Sequence, residues 1–138
     1  MRVAQLDAPG SLVFHRIPFI AVLAYSPLAQ GLLTGKCGVD RILPEDDWRC
    51  KDPRFSEESR KRITAFLEEI RPIANAHDAT LGQLTIAWTL AQPGLTHALV
   101  GARNPQQVLE NVQAADIVLT EQEMTAIAGA LSRLEISN

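Results

Sequence analysis

The chain offers almost nothing from which a metal site or a disulfide framework could be built. Its 138 residues include two cysteines and three histidines. Cys37 and Cys50 lie 13 residues apart, with no CxxC motif and no histidine cluster beside them, so a structural zinc site has no ligand set. One loose pair of cysteines does not argue for a disulfide either. Charge of one sign is also scarce: Lys and Arg total 13 against 16 Asp and Glu, a net charge of −3, and no basic block stands out. That excludes a general polyanion binder, and no nucleic-acid partner is expected. Long apolar runs are missing as well. The longest, Ile17 to Tyr25, is interrupted by Pro18 and falls far short of the ~20 residues that span a bilayer. No cleavage-site pattern follows it, so neither a membrane segment nor a signal peptide is expected. What remains is the composition of a globular domain, 46% hydrophobic and 21% charged, with reduced cysteines and a cytoplasmic location as the expectation.

Along the chain, Asp7 to Ser11 reads as a turn and Leu12-Val13-Phe14 as a short strand. Ile20 to Tyr25 is a near-continuous apolar run of strand length, stopped by Ser26-Pro27, and suits a strand buried on both faces of a parallel sheet. From Lys36 to Pro53 the composition turns to Gly, Pro, Asp and Arg without a period, which predicts a long irregular loop. Glu57 to His77 is helical, with Ile63, Phe66, Leu67, Ile70 and Ala74 on one face. Thr80 caps a second helix, Leu81 to Ala91, whose stripe is Leu84, Ala87, Trp88 and Ala91, and Gln92-Pro93-Gly94 ends it.

His97 to Val100 reads as a second strand, closed by Gly101. Asn104-Pro105 gives the N-cap and first position of a third helix, with Val108, Leu109, Val112 and Ala115 as its buried face. Thr120 with Glu123 forms a capping-box signal for a last helix, with Met124, Ile127, Ala128, Leu131 and Leu134 as its stripe. Strand, loop, two helices, strand, two helices is an α/β order with parallel strands.

Two stretches carry a family resemblance. Ala24-Tyr25-Ser26-Pro27-Leu28-Ala29-Gln30-Gly31-Leu32-Leu33-Thr34-Gly35-Lys36 is similar to the strand-7 signature of aldo-keto reductases. Val100-Gly101-Ala102-Arg103-Asn104-Pro105-Gln106-Gln107-Val108-Leu109-Glu110-Asn111 resembles the strand-8 signature of the same family. The helix pair between them fits in order and spacing, and the resemblance runs from about Ile20 to Leu134. It implies the C-terminal part of a (β/α)8 TIM barrel, incomplete, with about two barrel strands and four helices, since such barrels take about 250 residues. Residues 1–18 stand unmatched, and 19–138 form the partial reductase domain.

The resemblance implies NADP as cofactor. Tyr25 would stack on the nicotinamide; Ser26, Pro27, Leu28, Ala29, Gln30 and Gly31 would cradle the pyrophosphate, with Lys36 as a point charge on the phosphates. Gly101 and Arg103 would sit at the second phosphate loop, and Gln107, Glu110 and Asn111 at the adenosine end, with Arg49 approaching the adenosine phosphate. Arg103 precedes a helix N-terminus, so a phosphate there meets a forked donor and a helix dipole, which favours the 2′-phosphate of NADP. Read from the residues alone, Tyr25 is a strand-end aromatic, Ser-Pro a turn, Lys36 a solvated charge and the 107–111 positions a polar helix face.

The family's catalytic tetrad of Asp, Tyr, Lys and His comes from strands of the N-terminal half. The single tyrosine is Tyr25, and His15, His77 and His97 match no catalytic histidine. The resemblance therefore implies a truncated reductase that keeps the NADP loops and is inactive in isolation. The other readings are a non-catalytic nucleotide-binding or interaction module, or one half of a split reductase. The expected partners are NADP(H) and either a second copy or a complementing N-terminal half.

Overall fold

Periodicity and caps place the helices where the sequence puts them, and the computed structural model, which describes residues 21–134, shows how each is seated. Helix α1 spans Glu57–Ala76. Ser56 caps it by accepting the Ser59 N–H at 3.2 Å, and Glu57 and Glu58 face the positive end of its dipole. Its apolar face, Ile63, Phe66, Leu67, Ile70 and Ala74, is buried as expected, and the helix runs on through Pro72, which lies on the exposed side.

Helix α2, Leu81–Leu90, opens on a full capping box: Thr80 accepts the Gln83 N–H, and the Gln83 carboxamide oxygen accepts the Thr80 N–H at 2.9 Å. The single stripe expected here is too narrow. Leu81, Gly82, Leu84, Thr85, Ile86, Ala87 and Thr89 are all buried, Trp88 is half-buried, and Ala91 lies exposed beyond the helix end. The reason is position: α2 is enclosed by α1, by the loop Ala29–Thr34 and by the segment from 105 to 116, so it is covered on several sides.

Strand β1, Leu23–Tyr25, pairs in parallel with β2, His97–Leu99, in the register Leu23 to His97, Ala24 to Ala98 and Tyr25 to Leu99. Strand β1 is shorter than the apolar run that suggested it and is not buried on both faces. Leu23 and Tyr25 are 51% and 72% exposed and Leu99 is 47% exposed, while Ala24 and Ala98 between them are half-buried. Helix α2 packs against β2, but nothing among the described residues covers the opposite face.

Helix α3, Pro105–Gln113, starts as read, with the Asn104 side chain accepting the Gln107 N–H at 2.9 Å and proline at the first position. Its expected buried face is open instead. Val108, Leu109 and Val112 are 49%, 61% and 64% exposed, and Ala115 is exposed. Ala114, in a 3-10 turn that closes against α2, is the buried residue of this segment. Helix α4, Glu121–Ser132, has the Thr120–Glu123 capping box in both directions. Ile127 and Ala130 are buried, Met124, Leu131 and Leu134 are half-buried, and Ala128, expected in the stripe, is exposed. Helix α4 packs on α1, so the buried row is the one facing that helix.

One core unites these pieces. Leu32 and Leu33 from the loop, Phe55, the α1 face, Leu81 and Leu84 of α2, and Ile127 and Ala130 of α4 form a single apolar cluster. Gly35 lets the loop approach α2 closely: its φ is +74°, and a β-carbon there would stand 2.8 Å from Leu81 Cδ1. His77 Nε2 lies 2.9 Å from Glu123 Oε1 and ties the end of α1 to the start of α4. The short strand read at Leu12-Val13-Phe14 and the turn before it lie outside the described residues.

Candidate functional site

Tyr25 ends β1 and Leu99 ends β2, so the residues that follow each strand emerge at the same end of the parallel pair. There they form one open cleft of about 750 Å³. Of the residues assigned to cofactor binding, Ser26, Pro27, Leu28, Gln30, Gly31, Lys36, Arg49, Gly101, Arg103, Gln107, Glu110 and Asn111 line it. Tyr25 and Ala29 do not: Tyr25 is exposed on the open sheet face, and Ala29 is buried under the loop. Two sequence motifs about seventy residues apart thus meet in one concave surface, at the carboxyl ends of the strands, where α/β folds place ligands.

The first loop is conformationally costly. Ser26, Ala29 and Gln30 have φ of 58°, 46° and 55°, and Gly31 follows at 99°. Each left-handed non-glycine residue costs on the order of 1–3 kcal/mol, and such strain gathers at binding sites. Sequence gave no sign of it, because none of these three is glycine. The Ala29 and Gly31 N–H groups donate to the Ser26 and Leu28 carbonyls, each at 2.9 Å, so the loop is self-braced and those two donors are committed inside it. A β-carbon on Gly31 would meet nothing within 4 Å, so glycine there serves the backbone angle and leaves the cleft side open. Thr34 closes the loop by donating to the Gly31 carbonyl at 2.7 Å and accepting the Lys36 N–H at 3.2 Å.

The two motifs also touch. Lys36 Nζ lies 4.0 Å from Glu110 Oε2, an ion pair between largely exposed groups. Gln83, at the start of α2, donates to the Glu110 carbonyl at 3.0 Å and to Gln113 Oε1 at 3.1 Å, which fixes α3 against α2. The Arg103 N–H donates to Gln107 Oε1 at 2.8 Å, leaving the Arg103 side chain at the exposed rim beside the helix start.

The loop expected to be irregular holds two matching turns. Asp47 and Asp52 each cap a short 3-10 helix by accepting the N–H two residues on, and each grips the arginine at that position. Arg49 gives Asp47 its Nε at 3.0 Å and an Nη at 2.5 Å, and Arg54 does the same to Asp52. Arg49 is also 5.7 Å above the Phe55 ring and is buried, so only part of its donor fork remains for a ligand. Asp47, Trp48, Arg41, Thr34, Thr80 and Gln83 also line the cleft and were not assigned to it from sequence. The repeated Asp-x-Arg spacing and the Thr80-x-x-Gln83 box were the legible signals for some of them.

The Asp47 carboxyl is pulled down to about 2, chiefly by the Arg49 side chain and backbone, with a smaller contribution from the charge of Arg103. Its folded value is below the ordinary 3.8, so its stabilising contribution is complete above 3.8 and is lost as pH falls through about 2. In a Trp88→Phe background, Trp48 emission should therefore change over that acid window, and Asp47→Asn should show the acid form's spectrum already at neutral pH. An Asp47→Asn spectrum identical to the parent's would contradict this. Among the described residues no group of His, Cys, Asp or Glu could hold a metal ion, and no helix is long and apolar enough to cross a membrane.

A parallel strand pair backed by helices, with ligand-type loops after both strands, defines the α/β class. The aldo/keto reductase family model matches residues 17–132, and the chain belongs to that family. An uncharacterized oxidoreductase of Mycobacterium tuberculosis is 40% identical over 129 residues, which is 93% of this chain and 39% of that protein. The NADH-specific methylglyoxal reductase of Escherichia coli is 35% identical over 116 residues, 84% of this chain and 35% of its own length. A glycerol dehydrogenase structure from Gluconobacter oxydans superposes with a TM-score of 0.81 at 31% identity, covering 97% of this chain and 40% of that one. The chain thus spans well under half the length of the relatives it matches.

Proposed function

We propose that this chain binds the phosphate and adenosine part of a nicotinamide dinucleotide, NADP in preference to NAD. The observation that carries the reading is the single cleft that collects residues from both motifs. Its size suits a dinucleotide. Arg103 at its rim is an exposed cation for a phosphate, with Arg41 also in the lining, while Arg49 is held by Asp47 and Lys36 pairs with Glu110. Arg103 beside the α3 N-terminus is the 2′-phosphate donor, and Gln107, Glu110 and Asn111 serve the adenosine. Tyr25, 72% exposed at the end of β1, offers a ring face to the nicotinamide. When bound, the dinucleotide would supply the hydride of a carbonyl–alcohol oxidoreduction.

None of the 138 residues is assigned a proton-transfer role, and we propose that these residues alone do not carry out the reaction. The sole tyrosine serves stacking rather than proton donation. Cys37 is buried and Cys50 exposed, each a free thiol; a cytoplasmic setting is part of the proposal.

A second reading rests on a separate observation, the apolar residues left open on the β1–β2 face and on α3. It makes the chain an interaction module whose partner is a second copy or a complementing half of a split reductase.

Fluorescence titration with NADPH and with NADH, on the parent and on Arg103→Ala, tests the first reading. Binding by the chain alone is expected to be weaker than micromolar, because Tyr25, the residue assigned to the nicotinamide, stands exposed outside the cleft. Arg103→Ala should weaken NADPH about tenfold or more and leave NADH nearly unchanged, the scale of a charged hydrogen bond. Equal losses for both, or tighter NADH than NADPH, would remove the NADP preference. No binding of either would leave only the family membership.

A further inference from the structure

The cleft has an aromatic wall that neither sequence motif contains. Trp48 lines the cleft and is 53% exposed. A ring of this size with an open face is apolar area that a planar ligand can cover. Its position is well fixed. Asp47 before it and Arg49 after it are locked together by hydrogen bonds at 3.0, 3.1 and 2.5 Å, so the turn that presents the indole is held on both sides. Phe55 meets the indole edge to face, with centroids 5.8 Å apart and planes at 77°. Such a contact occupies at most one of the two ring faces.

The polar groups that would read a base edge belong to the same cleft. Glu110 and Asn111 on α3 line it, and the charge of Arg103 reaches the Asp47 carboxyl next to Trp48. Stacking surface, edge-reading groups and phosphate donor therefore share one cleft.

We infer that Trp48 is the stacking platform for the purine of the dinucleotide, covering one face of the base while α3 presents polar groups to its edge. This rests on the cleft being a dinucleotide site. Stacking a base on an aromatic side chain needs only a planar ring, so the contribution should be the same for ADP, NADH and NADPH, and absent for reduced nicotinamide mononucleotide.

The test uses the full chain in a Trp88→Phe background, where Trp48 is the one tryptophan and reports directly. ADP should quench its emission, and reduced nicotinamide mononucleotide should not. Trp48→Leu keeps an apolar side chain and removes the ring, and should weaken ADP and NADPH about tenfold, while Trp48→Phe should retain most of the affinity. Rescue by phenylalanine but not by leucine is the signature that a merely structural role would not give. If folded Trp48→Leu binds ADP as tightly as the parent while Arg103→Ala still loses NADPH, the site stands and the platform falls. If the parent binds neither ADP nor NADPH, both readings fall together.

Discussion

Replacing Leu84 with alanine is expected to cost about 3 kcal/mol, within the range of roughly 2–5 found for buried leucines. Leu84 is 0% exposed at the middle of α2, the helix that the other elements enclose. Its neighbours are α1 and α4 side chains and the loop leucines, all held by their own helices or by the braced turn, so they cannot collapse far into the space left. Small domains are stable by only about 5–15 kcal/mol, so the loss is a large share of the total. Urea unfolding should show a lower midpoint with an unchanged slope. Ile42→Ala is the control: at 92% exposure it should change stability by no more than about 0.5 kcal/mol. A Leu84→Ala cost below about 1 kcal/mol would mean that this core is loosely packed.

Much of the architecture was readable because helices announce both their faces and their ends. The row from Ile63 to Ala74 and the Thr120–Glu123 box are local patterns, and local physics satisfies them. Val108, Leu109 and Val112 show where that reading stops. Their spacing tells which face of α3 seeks cover, and no neighbour among the described residues gives it. The apolar run ending at Tyr25 misled for the same reason, since an apolar residue does not carry its own covering layer.

The candidate site was legible through two motifs whose spacing survives as a shared surface. What escaped were effects that depend on the fold. Left-handed angles at Ser26, Ala29 and Gln30 leave no compositional trace, and Trp48 gains its place only when the loop from 36 to 53 folds back beside Arg103.

The open apolar faces lead to the largest expected change in behaviour, and it concerns association. Under the interaction-module reading, a folded chain that leaves Leu23, Tyr25 and Leu99 open on one face and Val108, Leu109 and Val112 on another should self-associate. Strands β1 and β2 pair only with each other among the described residues, so each also keeps a free edge, which favours addition of another strand. Light scattering should report a mass above the 15.1 kDa of one chain, rising with concentration. The double substitution Leu109→Asp and Val112→Asp places two charges on the α3 face without touching the core. Burying a leucine or valine contributes about 1.5–3 kcal/mol, so losing both should weaken an α3-centred dimer by roughly a hundredfold or more. If association instead runs through the strand edges, the double variant will stay oligomeric and Leu23→Lys will dissociate it, since a lysine on an edge strand blocks pairing. A folded parent chain that is monomeric at every concentration would remove self-association. The complementing half would then be the one remaining partner for these faces, and coexpression with a separate N-terminal half-barrel is how to look for it.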